Sequence, residues 1–191
     1  MNICVYGASS KTIDKSYIEA GEYLGEILVE RGHNLVFGGG ANGLMGAVAR
    51  GVYSKGGKIL GVVPTFFNVD GIIFEDCTKL IRPDTMRERK QIMEDNADGF
   101  IITPGGIGTF EEFFEILTLK QLGRHNKPIA ILNTNGYYDK MLAFMEHAID
   151  GEFLNDECCL LYEFVDTPDE ALDYIEGYDG KQIPITKLKN I

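Results

Sequence analysis

The sequence predicts an α/β fold, a Rossmann-like, doubly wound and mostly parallel sheet with helices on both faces. Short apolar runs alternate with longer stretches of helical periodicity, which is the pattern of βαβ units. Because crossovers between parallel strands are right-handed, successive units wind around one sheet. Glycines follow the predicted strands at Gly7, at residues 38–40 and at residues 105–106. Ligands bind beyond the carboxyl ends of strands in such folds, so we expect these loops to meet at one crevice.

Each predicted element rests on a local signal. Apolar runs predict strands at residues 2–7, 34–40, 58–64, 77–81, 99–106, 127–133 and 160–165. Helical periodicity predicts helices at residues 14–31, 43–55, 85–96, 109–122, 137–149 and 168–176. Gly32 ends the first helix, and Thr85 with Glu88 forms a capping box that begins the third. We expect one nucleotide-binding domain over residues 1–178 and a loose polar tail over residues 179–191.

Composition and charge narrow the class of protein. The chain has 191 residues and is 45% hydrophobic, which suits one domain that buries roughly 70% of its unfolded surface. Its net charge of -11 argues against a nucleic acid polymer as partner, since such proteins carry a basic surface. No apolar run is long enough to predict a membrane-spanning helix, and the N-terminus lacks the pattern of a signal peptide. We therefore expect a cytoplasmic protein without a membrane partner.

The cysteines and histidines form no metal or disulfide motif. None of Cys4, Cys77, Cys158 and Cys159 belongs to a C-x-x-C pair, so we interpret them as reduced thiols of a cytosolic protein. The histidines lie far apart in the sequence and lack metal-ligand spacing. The sequence therefore supports neither a metal nor another cofactor.

One glycine cluster matches a dinucleotide-binding motif only in part. Gly38, Gly40 and Gly43 fit G-x-G-x-x-G between a strand and a helix. A dinucleotide site also needs an acid about 20 residues further on to hold the ribose. No Asp or Glu occurs between Arg50 and Asp70, and no glycine cluster is followed by the Lys-Ser/Thr of a P-loop. The alternative is that these glycines allow tight turns and close packing of the helix on the sheet.

A second glycine cluster predicts a phosphate site. Gly105, Gly106, Ile107, Gly108 and Thr109 connect a strand to a helix. Glycine lets backbone amides approach an anion closely, and the helix points its positive end at the same place. Thr109 can cap that helix or donate its hydroxyl to a phosphate. The alternative is a turn with a purely structural role.

The helix that follows separates its acids. On a helical wheel Glu111, Glu115 and Thr118 share one face, whereas Glu112 falls on an apolar flank. An acid in the first turn of a helix complements the helix dipole, which accounts for Glu111. It accounts less well for Glu112 among apolar neighbours. Since apolar residues occupy most sides of this helix, we expect it to be buried, in part against a second subunit.

Two cations flank the inward face of the preceding helix. Met86, Met93 and Ala97 mark that face, and Arg89 and Lys90 lie on either side of it. Buried cations are costly unless they are paired, and a phosphate or Glu112 would pair them. The alternative is that their alkyl stems cover the core while the charged groups reach water.

These segments together resemble a known family. "PGGIGTFEE" and "MRERK", with "GGGANGLMG" upstream and "LKQLGRHNKPIAILNTNGYYD" downstream, resemble the LONELY GUY family over residues 4–153. Its members are cytokinin riboside 5'-monophosphate phosphoribohydrolases that were long labelled lysine decarboxylases. The resemblance implies a Rossmann-like fold and a homodimer with its active site near the subunit interface. It also implies that a nucleoside 5'-monophosphate is cleaved to a free base and ribose 5-phosphate.

The resemblance implies roles for particular residues. Its catalytic arginine and glutamate fall on Arg89 and Glu112, and its upstream substrate-binding acid aligns with Glu75. The positions that hold the nucleotide match Lys90, Gly105, Gly106, Ile107, Gly108, Thr109 and Thr118. The loops after the first two strands add Gly7, Ser9 and Gly39 to the candidate substrate-binding residues. Many members have Met-His where this chain has Met86-Arg87, and the wheel places Arg87 outward, away from the chemistry.

The residue types fit this chemistry, although they leave an alternative open. Breaking a glycosidic bond builds positive charge on the sugar, which a carboxylate such as Glu112 can stabilise, or it can activate the attacking water. Arg89 could orient Glu112, contact the ligand, or do both. A carrier that binds a nucleotide-like molecule without turning it over is the alternative function, and the sequence does not name the base.

Overall fold

A computed structural model describes residues 1–67 and 71–189, and in them seven parallel strands form one sheet. The strands are Asn2–Tyr6 (β1), Asn34–Phe37 (β2), Ile59–Val62 (β3), Lys79–Ile81 (β4), Gly99–Ile102 (β5), Ile129–Leu132 (β6) and Glu163–Val165 (β7). The helices are Lys15–Glu30 (α1), Gly43–Ser54 (α2), Met86–Asp95 (α3), Ile107–Gln121 (α4), Asp139–Asp150 (α5), Pro168–Gly177 (α6) and Ile185–Leu188 (α7). Short 3-10 turns occupy Thr134–Gly136 and Asp156–Leu161. The predicted doubly wound fold is confirmed.

Strand β1 shows why the sheet is covered on both faces. Its last four residues are at most 2% exposed, and their side chains alternate between two apolar cores. Ile3 and Val5 pack in the core that α1, α2 and α6 cover, whereas Cys4 and Tyr6 pack in the core under α3, α4 and α5. A parallel sheet buried on both sides reads as a continuous apolar run, which is why short runs rather than alternating patterns predict these strands.

The direction of winding reverses between β1 and β5. The strand order is β4-β3-β2-β1-β5-β6-β7, so the chain moves outward from β1 to β4 and then returns to continue from β5 to β7. The loops that follow β1 and β5 therefore diverge to opposite sides and leave a crevice between them. The N–H of Ala8 donates to the carbonyl of Pro104 at 3.0 Å, and this bond joins the loop after β1 to the loop after β5. This is the crevice that the glycine clusters predict.

Helix α4 begins earlier than its periodicity indicates, at Ile107 rather than at Thr109. Gly106 is the N-cap residue, with an extended backbone (φ -99°, ψ -154°) and no side chain to cap the helix. Of the two roles considered for Thr109, the capping of α4 is therefore wrong, because Thr109 lies within the first turn. Its buried side chain packs against Gly105 instead, where an added Cβ would fall 2.1 Å from Thr109 Oγ1.

Part of the polar tail packs against the domain, although most of its described residues are exposed. Leu188 of α7 is buried, and its carbonyl accepts hydrogen bonds from Gln121 Nε2 at 3.1 Å and from Cys158 Sγ at 3.3 Å. The few apolar residues of this short polar segment do not establish a helical or strand period, so the sequence offers no local signal for this packing.

Three further observations concern the cysteines, clusters of metal-ligating side chains and membrane-spanning helices. All four cysteines are free thiols. Within the described ranges no His, Cys, Asp and Glu side chains gather in a group of three or more that could hold a metal ion. Among the same residues no helix combines the length and apolar character that a membrane span requires.

Candidate active site

A cavity of about 480 Å³ opens at the carboxyl ends of the central strands. The loop after β1 contributes Gly7, Ala8 and Ser9, and the loop after β2 contributes Gly38, Gly39 and Gly40. The start of α4 contributes Gly106, Ile107, Gly108 and Thr109, and two charged side chains, Arg89 and Glu112, complete the polar wall. The structure thus brings together most of the residues that the sequence proposes for the substrate.

Arg89 and Glu112 form a buried ion pair in this wall. Arg89 Nη1 donates to Glu112 Oε1 at 2.5 Å, and the two residues are 8% and 9% exposed. Arg89 is held in turn by Val62, whose carbonyl accepts from Nε at 3.1 Å. Gly38 makes room for the guanidinium, since an added Cβ there would lie 2.1 Å from Arg89 Nη2. The Arg89 guanidinium is thus held by protein partners rather than extended into bulk water.

Burial and the ion pair with Arg89 act in opposite directions on the pKa of the Glu112 carboxyl. Burial raises the pKa of the Glu112 carboxyl above its ordinary value of 4.5, and the Arg89 guanidinium offsets part of that rise. Because the two charges cancel, the pair can remain buried without an external counter-ion. A carboxylate so placed in a cavity can respond to positive charge that develops on a bound ligand.

The start of α4 has the features of an anion site. An added Cβ on Gly106 or on Gly108 would meet no heavy atom within 4 Å, so both backbones face open space. The first amides of a helix lack intrahelical acceptors, and the helix dipole places partial positive charge there. These amides border the same cavity as Glu112, which lies in the second turn of α4. A phosphate bound to them would therefore lie close to the buried ion pair.

Two tyrosines that follow β6 donate hydrogen bonds to the loop between β5 and α4. Tyr137 donates its hydroxyl to the carbonyl of Gly105 at 2.6 Å, and Tyr138 donates to the carbonyl of Thr103 at 2.7 Å. The loop between β5 and α4 is thus fixed from the side opposite β1. The sequence motif "NTNGYYD" contains both residues but carries no signal of these contacts.

The apolar wall of the cavity is the part that sequence reasoning missed. It consists of Met45, Val63, Pro64, Phe67, Ile72, Ile73 and Met86. Most of these residues lie between β3 and β4, where backbone bonds from Ala41 to Ile72 and from Phe74 to Gly39 join the segment to the glycine loop. Irregular segments have no hydrophobic period, so only the tertiary contacts reveal this wall.

Four of the residues proposed to bind the substrate are not among the described residues that line the cavity, namely Lys90, Thr118, Glu75 and Gly105. Lys90 is paired with Glu111 and with Glu115, the latter at 2.8 Å, which confirms that these two acids share a face apart from Glu112. The hydroxyl of Thr118 donates to the carbonyl of Phe114, and Thr118 and Glu75 are both exposed. Gly105 is a buried residue of the loop between β5 and α4. A contact between these four residues and the substrate stays a prediction.

Comparisons of the sequence with known proteins identify a family and several relatives. A family model described as "possible lysine decarboxylase" matches residues 45–175. A rice protein named probable cytokinin riboside 5'-monophosphate phosphoribohydrolase LOGL6 is 39% identical over 179 residues, 94% of this chain and 72% of its own. Cytokinin riboside 5'-monophosphate phosphoribohydrolase LOG2 of Arabidopsis thaliana is 38% identical, and the match covers 94% of this chain and 84% of that protein.

Solved structures share the fold at lower identity. An X-ray structure from the Northeast Structural Genomics Consortium has a TM-score of 0.71 at 23% identity and covers 93% of this chain and 99% of its own. The molybdenum cofactor binding protein of Rippkaea orientalis has a TM-score of 0.66 at 18% identity, over 92% of this chain and 93% of that one. The family model and the relatives together show that this chain belongs to the LONELY GUY family of cytokinin riboside 5'-monophosphate phosphoribohydrolases.

Proposed function

We propose that this protein hydrolyses the N-glycosidic bond of a nucleoside 5'-monophosphate, either a cytokinin riboside 5'-monophosphate or AMP. The products are the free base and ribose 5-phosphate. The observation that carries the proposal is the buried pair of Arg89 and Glu112 in a cavity that also contains the start of α4. The names of the relatives that match nearly the whole chain support the same reaction.

The phosphate anchors the substrate in this proposal. Residues 106–109 bind the 5'-phosphate through backbone amides and the Thr109 hydroxyl, with the helix dipole of α4 adding to the attraction. The ribose then extends from the first turn of α4 toward the carboxylate in the second turn. Binding energy from the phosphate, which does not react, holds the anomeric carbon beside Glu112.

Glu112 acts on the charge that develops in the reaction. As the bond between the anomeric carbon and the base nitrogen breaks, the electron pair leaves with the base and the sugar becomes an oxocarbenium-like cation. The Glu112 carboxylate stabilises this cation or accepts a proton from the water that adds to the anomeric carbon. The departing base takes up a proton, so the balance is one water consumed for each bond broken. Arg89 orients the carboxylate through its hydrogen bond.

The apolar wall is suited to the base. Met45, Phe67, Ile73 and Met86 line the same cavity as the start of α4. A planar base with an apolar substituent would bury its surface against these side chains, at about 25 cal/mol for each Å² removed from water. This supports a cytokinin riboside 5'-monophosphate, the substrate in the names of the relatives, as the preferred ligand.

We also propose that the protein is a homodimer with its active site near the subunit interface. Large apolar side chains are exposed around α4 and α5, namely Phe114, Phe144, Phe153 and Leu160. Exposed apolar side chains that together form a contiguous patch mark protein interfaces. Ile107 lines the cavity although it is 85% exposed, so a subunit that covered this face would also close the active site.

A cytoplasmic location is part of the proposal. Four free thiols, with Cys4 and Cys158 buried and Cys159 exposed, are typical of a protein that resides in a reducing compartment. The measurement is the fraction that contains the native protein after cell fractionation. Recovery with membranes or outside the cell would contradict this location.

Turnover of defined monophosphates tests the function. The pure protein is incubated with AMP and with N6-isopentenyladenosine 5'-monophosphate, and chromatography follows the free base and ribose 5-phosphate in equal amounts. Calorimetry measures binding of the same two compounds by the Glu112→Gln variant. Release of base by the wild-type protein supports the proposal. Tight binding without release across a panel of monophosphates would instead indicate a carrier.

A further inference from the structure

We propose that Tyr137 is a positioning residue for the phosphate site, because its hydroxyl turns the peptide between Gly105 and Gly106 so that the Gly106 N–H faces the cavity. The inference rests on the proposed function in one respect, since it takes the phosphate of the substrate to bind at the start of α4. Neither the sequence motifs nor the buried ion pair assigns a role to this tyrosine.

The direction of the peptide follows from one hydrogen bond. Tyr137 donates its hydroxyl to the carbonyl oxygen of Gly105 at 2.6 Å. The described chain contains no cis peptide bond, and in a trans peptide the C=O and the following N–H point in opposite directions. A Gly105 carbonyl held on the Tyr137 side therefore directs the Gly106 N–H to the other side. Gly106 lines the cavity, whereas Tyr137 lies outside its wall.

The Gly105–Gly106 peptide needs this restraint more than other peptides do. It lies between two glycines, neither of which has a Cβ to limit rotation of the peptide plane. A flipped peptide would turn the Gly105 carbonyl toward the cavity and repel a phosphate. As the N-cap residue, Gly106 precedes α4, so the helix supplies no acceptor that would fix its N–H.

Tyr137 is itself held in place by neighbouring rings. Its ring lies edge-on to Tyr17 of α1 with centroids 6.1 Å apart, and edge-on to Tyr138 at 4.9 Å. The preceding turn is closed by Asn133, whose carbonyl accepts from Gly136 N at 2.9 Å. These contacts do not involve the hydroxyl, so the Tyr137→Phe variant keeps the ring and its packing while it loses the bond to Gly105.

The adjacent tyrosine provides a matched control. Tyr138 donates to the carbonyl of Thr103 at 2.7 Å and is 1% exposed. The peptide that this bond holds joins Thr103 to Pro104, and a proline nitrogen carries no hydrogen. Tyr138→Phe therefore removes a hydroxyl that bonds to the same loop, without changing the direction of any N–H. It should cost stability, because it leaves a buried carbonyl without its donor.

The test compares the two variants in ligand binding. Calorimetry measures inorganic phosphate, AMP and adenosine with the wild type, Tyr137→Phe and Tyr138→Phe, and thermal unfolding reports stability. We expect Tyr137→Phe to bind phosphate and AMP roughly three- to tenfold more weakly, because the Gly106 N–H is no longer held toward the phosphate and the net contribution of one hydrogen bond is lost. Binding of adenosine, which has no phosphate, should be unaffected. In turnover, KM for AMP should rise by the same factor while kcat changes little. Tyr138→Phe should lower Tm and leave all three affinities unchanged.

The outcomes separate this inference from the proposed function. Wild-type affinity for phosphate and AMP in Tyr137→Phe would overturn the inference, and so would an equal loss in Tyr138→Phe. A wild-type protein that binds neither phosphate nor AMP would also overturn it. If the wild type binds AMP but releases no adenine from any monophosphate, the proposed function fails, and the comparison of the two variants still decides the role of Tyr137.

Discussion

Arg89 and Glu112 come from different helices and meet through a hydrogen bond of 2.5 Å between Nη1 and Oε1. Because Val62 at the end of β3 accepts a second bond from Arg89, the direction of the Glu112 carboxylate is set by the sheet as well as by α4. Removal of one partner from a buried pair typically costs about 3–5 kcal/mol, since it leaves the other charge uncompensated. Substitutions at this pair must therefore keep hydrogen-bonding capacity.

Glu112→Gln should abolish most of the turnover while the protein stays folded. Gln keeps the size of Glu and an oxygen that accepts from Arg89, but it removes the charge that stabilises the oxocarbenium-like sugar. An electrostatic contribution of this kind is worth about 2.7–4 kcal/mol, or roughly a hundred- to thousandfold in kcat. The measurement is AMP turnover, with folding checked by circular dichroism.

Glu111→Gln is the matched control for this prediction. Glu111 is the neighbouring residue, but it is exposed and pairs with Lys90 outside the cavity. Loss of an exposed pair costs roughly 0–1 kcal/mol, so its turnover should stay close to that of the wild type. An inactive Glu111→Gln, or a folded and active Glu112→Gln, would contradict the assignment of the catalytic carboxylate.

The activity should be lost on the acidic side through protonation of Glu112. Burial raises the pKa of this carboxyl above 4.5, with Arg89 opposing the rise, and only the ionised form stabilises positive charge on the sugar. As the pH falls through this raised pKa, kcat/KM should therefore fall with a midpoint above pH 4.5. The pH profile of AMP cleavage measures it. Residual cleavage by Glu112→Gln should show no such dependence, and an acidic limb of equal midpoint in that variant would assign the titration to another group.

Gly106→Ala should weaken binding of monophosphates without loss of stability. An added Cβ at this position meets no protein atom within 4 Å, so it occupies the space that the phosphate oxygens need. Loss of a hydrogen bond to a charged group costs about 1.5–3 kcal/mol, or roughly ten- to a hundredfold in affinity. Calorimetry with AMP and with adenosine measures the effect, which should be confined to AMP.

Gly105→Ala should behave in the opposite way. Its Cβ would fall 2.1 Å from Thr109 Oγ1, and overpacking of this kind typically costs about 1–3 kcal/mol of stability. Thermal unfolding of the two alanine variants separates the effects. If Gly106→Ala has wild-type affinity for AMP, the phosphate does not bind at the start of α4.

The apolar face around α4 and α5 should be covered by a second subunit. Light scattering of the wild-type protein at micromolar concentration should give twice the monomer mass of 21.2 kDa. Phe144→Glu places a charge on this face, where Phe144 is 66% exposed, and should shift the mass toward the monomer. Tyr53→Glu changes an exposed aromatic residue of α2, on the opposite face of the sheet, and should leave the mass unchanged. A monomeric wild type would refute the proposed dimer.

Decarboxylation of lysine should not occur, although the family model carries that description. Such an enzyme needs a lysine that forms a Schiff base with pyridoxal phosphate, and partners for the ring of that cofactor. Among the described residues that line the cavity, none is a lysine, and Lys90 is paired with two glutamates outside it. Incubation with lysine and pyridoxal phosphate should release no cadaverine, and its appearance at a catalytic rate would contradict this prediction.

The sequence by itself determined the fold class, the order of the elements and the place of the crevice. These depend on local periodicity and on glycines at strand ends, and both signals are visible in the sequence without knowledge of any tertiary contact. The separation of Glu112 from Glu111 and Glu115 was also predictable, because an α-helix turns 100° at each residue and so assigns neighbours to different faces.

Which side chains become partners in the folded protein was decided only by the tertiary structure. The pairing of Lys90 with Glu111 and Glu115, the packing of Leu188 and the apolar wall all join segments distant in sequence, and none of them has a local period. The same holds for Tyr137, whose bond to the carbonyl of Gly105 depends on how the loop after β6 lies against the loop after β5. Helices and strands follow from interactions between near neighbours in the chain, whereas the partner of a side chain depends on packing of the whole sheet and its helices.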